Sequence, residues 1–122
     1  MKPLTGLRVL DLSQRLPGPL AGMLLADLGA EVIKVEHPVH GDTGRHMGSK
    51  GEEVGSWWRF LGRNKECITC NLGNDEGQAL FRELAKKADV IIENFRPGTM
   101  EKWGLTYDSL SADNPGLVML RI

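Results

Sequence analysis

Cys67 and Cys70 stand three residues apart, a spacing that invites thiol redox chemistry or a zinc site. The flanking residues 66–72 read as a strand, and residues three apart on a strand point to opposite faces. Redox pairs of this spacing sit at helix starts, where both sulfurs can meet. The two cysteines are therefore expected to stay unbonded. His37, His40 and His46 share one polar stretch. A metal centre needs ligands fixed by regular structure and completed by a carboxylate or thiolate. Three solvated loop histidines are the preferred reading, and no metal is assigned. Trp57, Trp58 and Trp103 offer flat faces to a base. The first two lie in a helix-like stretch and are read as packing residues. Trp103 borders a candidate ligand loop, where packing and stacking are both open.

Three segments combine polar groups with glycine or proline suited to backbone contact with a ligand: 13–19, 36–45 and 93–103. None holds a nucleophile–base pair. Glu36 ends a strand where a dinucleotide-binding fold would place its ribose carboxylate. The loop before it, Ser13-Gln14-Arg15-Leu16-Pro17-Gly18-Pro19, lacks the required glycines. Bulky Leu16 and Pro17 would block the approach of a pyrophosphate, so a nicotinamide site is disfavoured.

The elements that would position these segments alternate. Short apolar runs at 7–12, 31–35, 66–72, 90–92 and 117–122 read as strands. Leu20, Ala21, Leu24, Leu25 and Leu28 recur at helical spacing, and Gly29 stops that helix. A polar loop follows over 37–51, and a further helix is expected over 54–61. Asn74-Asp75-Glu76 is a good helix start, with Leu80, Phe81, Leu84, Ala85 and Ala88 as its inner face. Short helical turns are expected at 99–103 and 107–112. The order predicts an α/β fold with a Rossmann-like, doubly wound, mostly parallel sheet. The runs 7–12, 32–35, 90–92 and 117–122 are expected to be buried on both faces. The last run reaches the terminus with no crossover helix after it, so the chain reads as the front part of a larger enzyme.

Bulk properties exclude little but point one way. The 122 residues suit one modest domain, and 41% hydrophobic with 25% charged residues is ordinary globular composition. A net charge of −1 gives no pull toward nucleic acid or an acidic membrane. No run approaches a membrane span, and the start has no secretory pattern, so a cytoplasmic location is expected.

Several colinear motifs resemble family III CoA-transferases, the group that includes formyl-CoA:oxalate and carnitine CoA-transferases and α-methylacyl-CoA racemases. They are Leu4-x-Gly6-Leu7-Arg8-Val9-Leu10-Asp11-Leu12, Pro17-Gly18-Pro19, and Ala26-Asp27-Leu28-Gly29-Ala30-Glu31-Val32-Ile33-Lys34-Val35-Glu36. Gly41-Asp42, Arg45 and Arg63-Asn64-Lys65 continue the series. Ala88-Asp89-Val90-Ile91-Ile92-Glu93-Asn94-Phe95-Arg96-Pro97-Gly98, Gly104-Leu105 and Asn114-Pro115 complete it.

The resemblance implies the N-terminal part of a family III large domain, without the smaller second domain. It implies CoA and acyl-CoA as substrates, no permanently bound cofactor, a carboxylic acid as co-substrate, and an interlocked homodimer. The CoA-binding residues it implies are Leu16, Pro17, His37, Cys70, Asn71, Leu72, Gly73, Asn94, Phe95, Arg96 and Lys102. The catalytic aspartate, which carries the acyl group as an anhydride and then CoA as a thioester, would lie beyond Ile122. Asp11, Asp27, Asp42, Asp75, Asp89, Asp108 and Asp113 do not occupy its position, so residues 1–122 alone are expected to transfer no CoA. Relatives often have Arg where His37 stands and some have Lys where Gly73 stands. Leu16-Pro17-Gly18-Pro19 lacks the Gln of the formyl-CoA enzymes, which argues against oxalate chemistry. Racemase activity and a non-catalytic binding module remain the alternatives. Apolar strand faces and the 20–28 helix are expected to be partly bare, favouring self-association.

Overall fold

Strands and helices alternate as the apolar runs require. The computed structural model describes residues 1–48 and 54–122. The strands are β1 (Arg8–Asp11), β2 (Glu31–Glu36), β3 (Lys65–Thr69), β4 (Val90–Glu93) and β5 (Val118–Arg121). The helices are α1 (Pro17–Asp27), α2 (Ser56–Leu61), α3 (Asp75–Ala85), α4 (Thr99–Lys102) and α5 (Tyr107–Asp113). The sheet is five-stranded in the order β3-β2-β1-β4-β5. Every pair is parallel, with Leu10 level with Ile33 and Ile91. This is the doubly wound arrangement, and the strand order reverses beside β1.

Local chemistry explains the helix ends. Pro17 opens α1, where a missing N–H costs nothing. The Asn74 side chain caps α3 by accepting from the Gly77 N–H, and Thr106 caps α5 by accepting from Ser109.

Alternation along each strand divides the core. Leu10, Leu12, Val35 and Ile91 face α3, α4 and α5, packing with Phe81, Met100, Leu105 and Leu110. Val9, Val32 and Ile92 face α1 and pack with Ala26 and Ala30.

One expectation holds and three need correction. First, the helix over 20–28 is partly bare as expected, with Leu24 and Leu28 52% and 47% exposed. The inward face of α1 is Gly18, Pro19, Gly22, Met23 and Ala26. The helix is apolar all round, so spacing alone cannot choose a face; small residues choose it by permitting close approach. Second, Leu80 is 51% exposed, and Gly77, Phe81 and Ala85 form the buried face of α3. Third, β5 is not buried: Val118 and Leu120 are exposed, because among the described residues only β4 pairs with it. Fourth, β3 ends at Thr69, which leaves Cys70, Asn71 and Leu72 in the following loop.

The expected loop over 37–51 contains a 3₁₀ turn, Thr43–His46, capped by Asp42; its residues 49–51 lie outside the described residues. Trp57 and Trp58 are not core residues: Trp57 is exposed, and the Arg45 guanidinium lies over the Trp58 ring at 4.0 Å.

The close seat of α1 has a testable consequence. A Cβ on Gly18 would lie 2.1 Å from the Ser13 Cβ, an atom fixed to the backbone of the loop after β1. Gly18→Ala is expected to cost about 1–3 kcal/mol by overpacking, although alanine is the better helix former. Urea midpoints check this against Gly116→Ala, whose Cβ would meet nothing nearer than 3.9 Å.

Candidate functional site

The carboxyl ends of β1 to β4 converge on a cavity of about 270 Å³. Leu12 and Gln14 reach it from β1, and Val35, Glu36 and His37 from β2. Cys70, Asn71, Leu72 and Gly73 come from the loop after β3, Phe95 from the loop after β4, and Trp103 from the end of α4. Phe95 and Trp103 meet edge to face, with centroids 5.2 Å apart. The walls are thus mainly apolar, with a few convergent polar groups, as small-molecule sites usually are.

Six of the eleven residues named from the sequence line this cavity: His37, Cys70, Asn71, Leu72, Gly73 and Phe95. Leu16 and Pro17 stand exposed at the start of α1, outside its lining. Arg96 and Lys102 are exposed and also outside the lining. Asn94 serves the backbone instead. Its Oδ1 accepts from the Gln14 N–H and its Nδ2 donates to the Gln14 carbonyl, both at 2.8 Å. Leu12, Gln14, Val35 and Glu36 were missing from the expected set. The strand-end rule for doubly wound sheets reaches them: Gln14 and Glu36 lie in the candidate segments 13–19 and 36–45, and Leu12 and Val35 directly precede those segments.

His37 is placed differently from a simple cation. Its Nδ1 accepts from the N–H groups of Val39 and His40, at 3.1 and 3.3 Å, which leaves Nε2 to carry the proton. Its ring stacks on His40 with centroids 4.7 Å apart. Beside it, a second cavity of about 290 Å³ shares Glu36 and His37 and adds Gly41, Arg45 and Cys67.

Below the mouth lies a feature that apolar periodicity does not announce. On the α1 side of the sheet, Asp11, Lys34, Asp42 and Ser13 are all buried. Lys34 Nζ donates to the Ser13 carbonyl and lies 2.8 Å from Asp42 Oδ2. Lys65 Nζ lies 2.8 Å from Asp11 Oδ2 and donates to the Pro19 carbonyl at the same distance. Burial pulls the Lys65 ammonium down, while Asp11 opposes that pull. Asp42 Oδ1 accepts from the backbone of Arg15 and Gly44, at 3.0 and 2.8 Å. A Cβ on Gly22 would meet Asp11 Oδ2 at 2.7 Å, so glycine is what lets α1 cover the cluster.

Glu36 joins this network to the cavity. Arg45 grips its two oxygens at 2.8 and 2.6 Å, and the Asp42 N–H donates to Oε2 at 2.9 Å. Burial raises the Glu36 carboxyl, but Arg45, the Asp42 N–H and the Lys34 charge outweigh it and hold it below its usual 4.5. A carboxyl depressed in the fold contributes stability above the unfolded value, and that stability is lost as pH falls through the folded value. Arg45→Met is therefore expected to be less stable than the parent at pH 7. The gap should close below pH 4.5. Urea midpoints across that window check it.

The thiols fit no redox role. Cys67 is exposed, Cys70 is buried, and both are free. Burial pushes both thiols up, and the Glu36 charge adds to this at Cys67. Among the described residues no group of three or more His, Cys, Asp or Glu is placed to hold a metal ion, and no helix is long and apolar enough to cross a membrane.

Comparison with known proteins finds matches over nearly the whole chain. The sequence model of CoA-transferase family III matches residues 4–122. The succinyl-CoA–D-citramalate CoA-transferase of Chloroflexus aurantiacus is 52% identical, over 99% of this chain and 30% of that protein. The alpha subunit of succinyl-CoA–L-malate CoA-transferase from Chloroflexus aurantiacus is 48% identical, over 98% of this chain and 28% of that subunit. A CAIB/BAIF family protein from Brucella suis superposes with a TM-score of 0.90 at 43% identity, over 98% of this chain and 33% of that one. The chain thus spans roughly 30% of the length of these relatives.

Proposed function

This chain belongs to CoA-transferase family III, and from that premise we propose that its cavity takes part of a CoA molecule while the whole protein moves CoA from an acyl-CoA to a carboxylic acid. The observation that carries the reading is the convergence of His37, Cys70, Asn71, Leu72, Gly73 and Phe95, from three separate segments, on one cavity at the strand ends. CoA is a polyanion with an adenine and a thin amide chain. Phe95 and Trp103 supply a flat apolar wall for the base or the chain. Asn71 and Gly73 offer polar backbone beside it. The exposed cations Arg96 and Lys102 stand to meet phosphates at the rim.

The chemical step in this proposal belongs to an aspartate outside residues 1–122. Attack of that carboxylate on the acyl-CoA thioester releases the CoA thiolate and gives a mixed anhydride; the thiolate then attacks the aspartyl carbonyl, which expels the donor acid and leaves an enzyme thioester. The incoming acid then accepts CoA by the reverse sequence. Splitting a hard exchange into acyl-enzyme steps lowers each barrier. Residues 1–122 alone would bind without turnover, as one part of a large domain. The homodimer and the cytoplasmic location belong to the same proposal. Light scattering tests the first, and the exposed Leu24 and Leu28 favour association.

The acids named for the two Chloroflexus enzymes, citramalate and malate, each carry two carboxylates. We extend that substrate class to this protein. Both of those relatives are transferases, which favours transfer over racemisation. Calorimetric titration with CoA and with NADH tests the ligand class. CoA is expected to bind and NADH to give no heat of binding; the reverse would restore the dinucleotide reading.

A further inference from the structure

We propose that Arg15 binds the second, non-reacting carboxylate of a dicarboxylic acceptor, an inference that rests on the CoA-transfer reading above. The loop after β1 is fixed by side chains from three other places. Lys34 holds the Ser13 carbonyl, Asn94 holds both backbone groups of Gln14, and Asp42 holds the Arg15 N–H. Arg15 itself has a φ of 68°, a left-handed conformation uncommon for a residue with a side chain. Backbone held this way against its preference is found where position matters. The loop leaves β1 at the point where strand order reverses, the crevice in which such sheets bind ligands.

Arg15 follows directly on Gln14, which lines the cavity. Its side chain is exposed and makes no hydrogen bond or ion pair with the described residues. The other cations near the strand ends are committed. Lys34 and Lys65 are buried on carboxylates, and Arg45 grips Glu36. Arg96 and Lys102 are the rim cations that the proposed function gives to phosphates. A long guanidinium on an anchored backbone suits bidentate pairing with a carboxylate, which an ammonium cannot match. It would read the end of the acid that does not react and leave the other end for transfer.

The test uses the full-length protein carrying residues 1–122. Arg15→Asn removes the charge with a residue that accepts the left-handed region. CoA binding is measured by calorimetry, and KM is measured for succinate and butyrate, four-carbon acids with and without the second carboxylate. The expected result is retained CoA binding with the succinate KM raised about tenfold or more relative to butyrate, the scale of a lost charge-assisted contact. Arg15→Lys should recover part of that preference. An unchanged KM ratio in Arg15→Asn with CoA still bound would overturn the role of Arg15 and leave the transferase reading standing. A parent protein with no preference for succinate would also overturn it. Failure of the parent protein to bind CoA would defeat both.

Discussion

Lys34→Met is expected to cost about 3–5 kcal/mol, the usual loss when one partner of a buried ion pair is removed. That is roughly a fifth or more of a typical domain's 5–15 kcal/mol. Lys34 is fully buried, 2.8 Å from Asp42 Oδ2 and 3.8 Å from Asp11 Oδ1. Asp11 would keep Lys65. Asp42 would keep only backbone N–H donors for a carboxylate that is 1% exposed. The double variant Lys34→Met/Asp42→Asn removes that stranded charge while an amide oxygen still accepts from Arg15 and Gly44. It should be more stable than Lys34→Met alone. Urea midpoints decide, and equal stability for the single and double variants would refute the buried-charge account. By contrast, the Arg8–Glu31 pair is exposed on both sides, and solvent screening leaves it little weight in stability.

Trp103→Leu is expected to weaken CoA binding by about 5- to 150-fold. Base–aromatic stacking is worth about 1–3 kcal/mol per base. Trp103 lines the cavity and meets Phe95 edge to face, so Phe95→Leu should act in the same direction. Leucine keeps apolar bulk against the core on which both rings pack. Trp57→Leu is the comparison, since Trp57 is another partly exposed tryptophan that lies outside this cavity. It should leave CoA affinity within about twofold. Calorimetry on the three variants measures the effect. Equal affinity in Trp103→Leu and the parent, with the fold intact, would remove the aromatic wall from the account.

The sheet was legible because apolar runs and turn residues mark strands independently of their partners. Burial was less legible, because it depends on neighbours. Leu24, Leu28 and Leu80 satisfy a helical period yet face out, since the close packing of Gly18, Gly22 and Gly77 decided which way the helices turned. Val118 and Leu120 form a good strand whose exposure follows from sheet order, which no local pattern reveals.

The site was partly legible in the same sense. The family motifs supplied the residues after β3 and β4. They did not disclose that Asp11, Lys34, Asp42 and Lys65 form one buried charge cluster. Nor did they show Asp27 clasped by Arg63 and Asn64, with Asn64 itself in the left-handed region. These pairings give some of the motifs a physical reason: the stretches at 4–12, 26–36, 41–42, 45 and 63–65 each carry at least one member of an ion pair whose partner lies in another of them. Gln14 and Glu36 lay in two of the candidate ligand segments but outside the CoA residues that the resemblance implies, because only the folded sheet brings that loop amide and that strand-end carboxylate to one cavity.

Amide chemical-shift mapping with CoA tests the central claim most directly. The account predicts shifts concentrated at Gln14, Glu36, His37, Cys70 to Gly73, Phe95 and Trp103, the residues that surround the cavity. Saturable binding with shifts confined to other surfaces, such as the exposed faces of α1 and α2, or no shifts at millimolar CoA, would contradict it.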